Sequence, residues 1–327
     1  MTSAAPSLDF GPDLDVSAQS SAGAGTPPHL ENQDNYLLID RRGNAAFLYE
    51  QAGQRQQVPG WPAGHMRMAL LDGMGGHGRG REAAEAVVAG LLLMPACHTL
   101  GELSARLDVL HARLQARFGV DADSGKRPGT TLTMLELRPG KPALLYHVGD
   151  SRLYELSATQ ATPMTIDHVP ATAFAMGGLL GEHEWWQQVH GEHRCQISQA
   201  FILGNAFANP AELADGLFEL SPRNLPSYLY HLPDRRALEL DPRAVYVLAS
   251  DGFWACADPG AWLARWPALL AACHSAQAMG EALFAEMNNN PPPELHIDNL
   301  TAIVLRPLAH DATAAPIASE QVDGPVA

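Results

Sequence analysis

Four apolar segments, far apart in the chain, each stop on an aspartate. MRMALL runs into Asp72-Gly73, LLYHVG into Asp150-Ser151, YVLAS into Asp251-Gly252, and LHI into Asp298-Asn299. One Asp-Gly after a strand is an ordinary turn. Four such endings constrain the fold more. If the strands belong to facing sheets and finish on one rim, their carboxylates converge there and raise one another's pKa. The chain has only two lysines, Lys126 and Lys141, so the natural counter-charge is a divalent cation. Ligands that are all oxygen, from carboxylate, backbone carbonyl and water, suit magnesium or manganese. Gly73 adds a backbone carbonyl that no Cβ keeps from an ion.

The element pattern supports facing sheets. Short apolar runs bounded by Gly, Pro, Asp or Asn predict strands at 36–40, 45–50, 66–72, 130–137, 143–148, 153–156, 245–250 and 300–305. Apolar residues at three- and four-residue steps predict helices at 81–93, 100–118, 261–273 and 276–287. Paired helices with no strand between them, and strands in succession, oppose a doubly wound sheet. They fit an α+β fold in which two antiparallel sheets lie under helical layers. Residues 1–28, rich in Ser, Ala, Gly and Pro, and residues 311–327 read as disordered tails. The folded domain is then 29–310, with 157–243 an irregular flap-containing insertion.

The net charge of −15 and the absence of any basic run of five exclude a nucleic-acid face. No apolar run is long enough to span a bilayer. No basic residue precedes Arg41, so the chain lacks the charged start of a secretory signal. Cys97, Cys195, Cys256 and Cys273 form no CxxC pair and read as thiols in a reducing compartment. A cytoplasmic protein is expected.

Seven motifs then occur in a telling order: ENQDNY at 31–36, LLDGMGGHG at 70–78, GTT at 129–131, HVGDSRLY at 147–154, IDH at 166–168, LASDGFW at 248–254 and DNLT at 298–301. In order and spacing they resemble the metal-dependent protein phosphatases of type 2C (PPM), bacterial branch. The resemblance implies an αββα sandwich with a two-metal centre, and hydrolysis of phosphoserine and phosphothreonine in proteins. It implies that Asp72 bridges the two ions, Mn2+ or Mg2+, and that the Gly73 carbonyl completes one shell. Asp251 and Asp298 would hold the second ion, Asp34 would stand beside the first through water, and Asp150 would serve a third, weaker site. Catalysis would rest on Asp34 and Asp72, with a hydroxide bridging the ions attacking phosphorus in line. Phosphoprotein substrates and a cognate Ser/Thr kinase are the implied partners of a monomer.

Two departures stand out. His29 occupies the position where the family usually carries a phosphate-gripping Arg, and an imidazole lacks the bidentate fork and permanent charge of a guanidinium. Arg79 and Arg81 are the candidate substitutes. Met74 follows the Asp-Gly where some members place a His; His77 is read as a capping residue. Other readings compete. Gly73, Gly75 and Gly78 spell GxGxxG, a dinucleotide signature. His183, His190, His193 and Cys195 suggest a loose zinc cluster. Trp185 and Trp186 suggest either packing or a docking surface. The alternative to an enzyme is a catalytically weak, phosphatase-like regulatory binding module.

Overall fold

The computed structural model describes residues 7–23, 31–75, 79–119, 127–192, 196–207 and 212–308. Strands are numbered along the chain. A five-stranded sheet has the order β1 (Leu14–Ser21), β16 (Leu300–Pro307), β15 (Val245–Ala249), β10 (Arg152–Leu156), β11 (Ala161–Pro163). A seven-stranded sheet runs β14 (Arg235–Leu238), β9 (Lys141–Val148), β8 (Leu132–Arg138), β5 (Met66–Leu71), β2 (Asn35–Ile39), β3 (Asn44–Tyr49), β4 (Ala52–Gln57). Two small pairs, β6 (Gly73–Met74) with β7 (Gly129–Thr130) and β12 (Gln199–Ala200) with β13 (Gly204–Asn205), complete the strands. The pairings in both large sheets are antiparallel. This removes the parallel sheet that a dinucleotide reading of Gly73, Gly75 and Gly78 requires.

Side-chain alternation explains the layers. Leu38, Met68, Leu70 and Leu135 of the larger sheet meet Tyr246, Leu248, Ile303 and Leu305 of the smaller. Their strand neighbours point outward. Leu37, Ala69, Met134 and Tyr146 pack on Val87, Leu91, Leu107 and Leu114, which belong to α1 (Arg79–Leu93) and α2 (Leu100–Gly119). On the far side, Tyr154, Val247, Ala249 and Val304 pack on Trp262, Trp266, Leu283 and Phe284. Strands buried on both faces therefore read as continuous apolar runs. The result is helix–sheet–sheet–helix, the expected αββα sandwich.

Three expectations need correction. The stretch 1–28 is not all tail, because Leu14–Ser21 is an edge strand paired with β16 from Leu14↔Pro307 to Ser21↔Leu300. Leu14 lies in the inter-sheet core, with Val16 and Ala18 packed against it. A period of two was present, but Asp15, Ser17 and Gln19 between small apolar residues made it resemble a linker. The second correction concerns 261–273, which forms two short helices, α5 (Pro259–Leu263) and α6 (Trp266–Leu270). Pro267 has no N–H to continue a helix from α5 and sits in the first turn of α6. Ser275 then caps α7 (Ala276–Asn289), its Oγ accepting from Ala278 N at 3.1 Å.

The insertion 157–243 is the third. It begins with β11 and ends with β14, so both ends belong to the sandwich. Its middle holds α3 (Pro170–Met176) and α4 (Glu182–His190). These helices close a small core of their own from Ile166, Ala175, Trp185, Leu220, Leu229 and Leu232. It is a packed module, not an irregular flap. Residues 311–327 and His29 lie outside the described residues. Among the described residues, no helix is long and apolar enough to cross a membrane.

Candidate metal centre

The pairing register decides where the aspartates go. Asn35 pairs with Leu71, so Asp34 and Asp72, one residue beyond each, leave the larger sheet at the same end. Leu70 pairs with Thr133 and Leu132 with Val148, which brings the end of β9, and Asp150 after it, to that edge. In the smaller sheet Arg152 pairs with Ala249, and Ala249 with Ala302. Asp150, Asp251 and Asp298 therefore also lie just beyond that end. One rim of the sandwich carries all five.

Close backbone approach and short hydrogen bonds hold the loops together. A Cβ on Gly73 would collide with the carbonyl oxygens of Gln33 and Gly80, so only glycine lets the Asp34 loop, the Asp72 loop and the start of α1 meet. A Cβ on Gly252 would strike the Asn299 carbonyl, between the Asp251 and Asp298 loops. Asp72 N donates to Thr131 Oγ1 at 2.9 Å, and Thr131 N donates back to Asp72 O at 2.8 Å. Thr131 Oγ1 lies 2.7 Å from Ser151 Oγ, beside Asp150. Across the two sheets, Ser250 Oγ donates to Asp34 Oδ2 at 2.7 Å and Gln33 N donates to Asn299 Oδ1 at 2.8 Å. Sequence reasoning assigned no role to Ser250, Ser151, Thr131 or Asn299, although each lies inside or beside a quoted motif. The signal was a hydroxyl or amide next to an aspartate at a strand end.

The electrostatics show what the rim lacks. Burial, followed by the negative charges of Asp34, Asp251, Asp298 and Asp150, lifts the Asp72 carboxyl well above its ordinary 3.8. Burial lifts Asp34 to about 7 against hydrogen bonds from Ser250 and Thr301, and Asp251 and Asp298 push the same way as burial. Asp34 Oδ1 is buried and has no hydrogen-bond partner among the described residues. Such oxygens fit a divalent cation, which offsets burial and mutual repulsion together. Among the described residues, no three acidic, His or Cys side chains are already closed into an ion cage. The carboxylates share a field.

A raised folded-state pKa means the folded protein holds protons that the unfolded chain releases. The stability that the raised Asp34 pKa gives is complete below about pH 3.8 and is lost as pH rises toward 7, and Asp72 acts with the same sign. Buried His147 and His190, whose pKa values burial lowers, act with the opposite sign. The clean readout is therefore the gain in Tm on replacing EDTA with Mn2+. That gain is expected to grow from pH 5 to pH 8, because protons compete with the cation for Asp34 and Asp72. A gain independent of pH would show that these carboxylates do not receive the ion.

Among the described residues, the other candidate arginines have partners of their own. Arg81 is held by Glu31 and Glu85, and the guanidinium of Arg79 lies over the Phe118 ring. His77, His193 and Cys195 lie outside the described residues; His183 and His190 sit at opposite ends of α4. Trp185 is 2% exposed and belongs to the module core, whereas Trp186 is 47% exposed. Cys97 and Cys256 are buried free thiols. Beside Asp150, a cavity of about 120 Å3 opens between the sandwich and the module, lined among others by Arg152, Asp167, Phe174, Gln188 and Trp254.

No family model matches the chain. Over 109 residues, 32% of this chain, it is 37% identical to the serine/threonine protein phosphatase PstP of Mycobacterium tuberculosis, of which the match spans 21%. Among solved structures, it is similar to the PPM Ser-Thr phosphatase MsPP from Mycobacterium smegmatis in complex with cacodylate. The TM-score is 0.55 at 21% identity, covering 91% of this chain and 99% of that one. The catalytic domain of PstP in complex with two manganese ions gives 0.54 at 20% identity, covering 91% and 99%. The fold is the one these phosphatase structures share.

Proposed function

We propose that this chain is a metal-dependent serine/threonine protein phosphatase of the type 2C (PPM) family. The observation that carries the reading is Asp72, a carboxylate at one strand end on which four further carboxylates act, all negative. The fold shared with PPM phosphatases and the stretch shared with PstP support it. A pair of divalent cations, Mn2+ or Mg2+, supplies Lewis-acid activation of water and neutralises phosphate charge.

The residues divide the work by position. Asp72, on which the other four carboxylates act, would be the ligand shared by the ions, with the Gly73 carbonyl beside it as a further oxygen donor. Asp251 and Asp298 come from adjoining loops of the smaller sheet and would hold the second ion. Asp34, fixed through Oδ2 by Ser250, has Oδ1 left to accept from water and would stand beside the first ion in this way. Asp150, on the module side, serves the third site. His29 is the proposed phosphate contact. Phosphoproteins and a Ser/Thr kinase acting on them are the proposed partners, and a cytoplasmic monomer the proposed state.

One observation favours a second reading, a weakly catalytic regulatory module. Arg81, a candidate substitute for the missing phosphate-gripping Arg, is engaged by two carboxylates. Hydrolysis of p-nitrophenyl phosphate and of a phosphothreonine peptide separates the two. Phosphate release that requires Mn2+ and stops with EDTA is expected. Mn2+ binding without release from either substrate would favour the regulatory module.

A further inference from the structure

The residue two places beyond Asp150 gathers parts of the molecule that are distant in sequence. Arg152 is 2% exposed. Its Nε donates to Asp167 Oδ1 at 3.0 Å and its Nη2 to Asp167 Oδ2 at 2.7 Å, a bidentate fork. Nη2 also donates to the Val189 carbonyl at 2.7 Å, in the last turn of α4, and Nη1 to the Tyr154 hydroxyl at 3.0 Å. The guanidinium carbon lies 4.7 Å from the centre of the Trp254 ring, three residues past Asp251. Asp167 leads into α3, where its carbonyl accepts from Thr172 Oγ1 at 2.7 Å. Thr172 Oγ1 in turn accepts from Trp185 Nε1, on α4, at 3.2 Å. The next residue fastens the Asp150 turn directly. His168 N donates to Gly149 O at 2.8 Å, and Gly149 N donates to His168 Nδ1 at 3.0 Å.

We propose that Arg152 is a positioning residue that sets the pose of the α3–α4 module against the Asp150 edge of the carboxylate cluster, and so tunes cation binding and phosphopeptide capture at that edge. The proposal rests on the phosphatase reading for its substrate, but its first readout does not. Charge alone does not account for the arrangement, since one carboxylate would neutralise a guanidinium. The Val189 carbonyl, the Tyr154 hydroxyl and the Trp254 face use the rest of a planar, rigid donor fork that an ammonium cannot reproduce. The cavity between sandwich and module is lined by Asp150, Arg152 and Asp167 together. A shift of the module therefore reshapes the space next to Asp150.

Arg152→Lys keeps the charge and loses the fork. In the full chain, with no substrate present, Mn2+ titration followed by calorimetry or by the signal of free Mn2+ is expected to show the weakest binding phase weakened on the order of tenfold. Tighter binding should stay within about twofold, since Asp72 is untouched. KM for a phosphothreonine peptide should rise by roughly tenfold while kcat on that peptide stays within about threefold, the split expected when substrate binding is weakened and the chemical step is kept. Thr172→Val loosens the Asp167 loop without altering any charge, and should move the same quantities in the same direction by less; it decides the matter if Arg152→Lys fails to fold. Mn2+ isotherms that superimpose on wild type, with only Tm lowered, would overturn the proposal and leave the phosphatase reading intact. A wild-type protein without phosphatase activity would instead remove the reading, while the isotherms still test the positioning role.

Discussion

Replacing Asp72 by Asn is expected to lower Mn2+-dependent turnover by at least about a hundredfold, since losing a direct ligand should cost at least what losing a supporting residue does. The same change is expected to raise the thermal stability of the metal-free protein. The opposite signs come from one cause. Without ions, the Asp72 carboxylate is buried among the charges of Asp34, Asp251, Asp298 and Asp150, an arrangement that destabilises the fold at neutral pH. An amide of equal size removes that repulsion. With ions, the amide supplies no charge and leaves them short of an anionic ligand. Steady-state kinetics in Mn2+ and calorimetry in EDTA, both at pH 7.5, test the pair. Turnover close to wild type would end the ligand assignment; a metal-free Tm below wild type would show that the carboxylates do not repel one another as described.

Gly73→Ala should have the largest effect on stability. The new methyl meets two backbone carbonyls, those of Gln33 and Gly80, and neither can turn aside as a flexible side chain would. Overpacking of this kind costs about 3 kcal/mol, which in a domain of this size lowers Tm by roughly 5–10 °C. Parting these loops also moves Asp34 from Asp72, so Mn2+-dependent activity is expected to fall along with stability. Gly140→Ala is a useful control. Gly140 also lies in a turn, and its φ of +62° strains any side chain, yet a Cβ there meets nothing within 4 Å. Its loss should be smaller and its activity near normal. Equal effects at the two positions would mean that the crowding at Gly73 is not what brings the loops together.

The layers were legible because both faces of the central strands are buried, so 66–72 and 245–250 stand out as apolar runs. What escaped was structure stabilised from outside its own sequence. Ala52–Gln57, reading AGQRQQ, is exposed along its length and is a strand only because β3 supplies its partners. Leu14–Ser21 depends in the same way on β16. The module escaped because its core is assembled from positions as separate as Ile166 and Leu232, with no periodic run between them. At the rim, strand-end aspartates were visible one at a time, while their convergence depends on the register within each sheet and on the two sheets facing each other. Ser250 illustrates the limit: nothing local shows that its hydroxyl reaches Asp34, 216 residues away.

The pairing of β1 with β16 has a consequence for synthesis. Residues 14–21 are made long before residues 300–307 and must wait, unpaired, for them. The acidic rim is incomplete for the same interval, because Asp298 enters with that last strand. A translating chain therefore carries a nearly finished sandwich with one edge open to wrong partners. A chain cut short before residue 298 would lack both the strand that covers this edge and one carboxylate of the rim, so truncated products should be prone to aggregate.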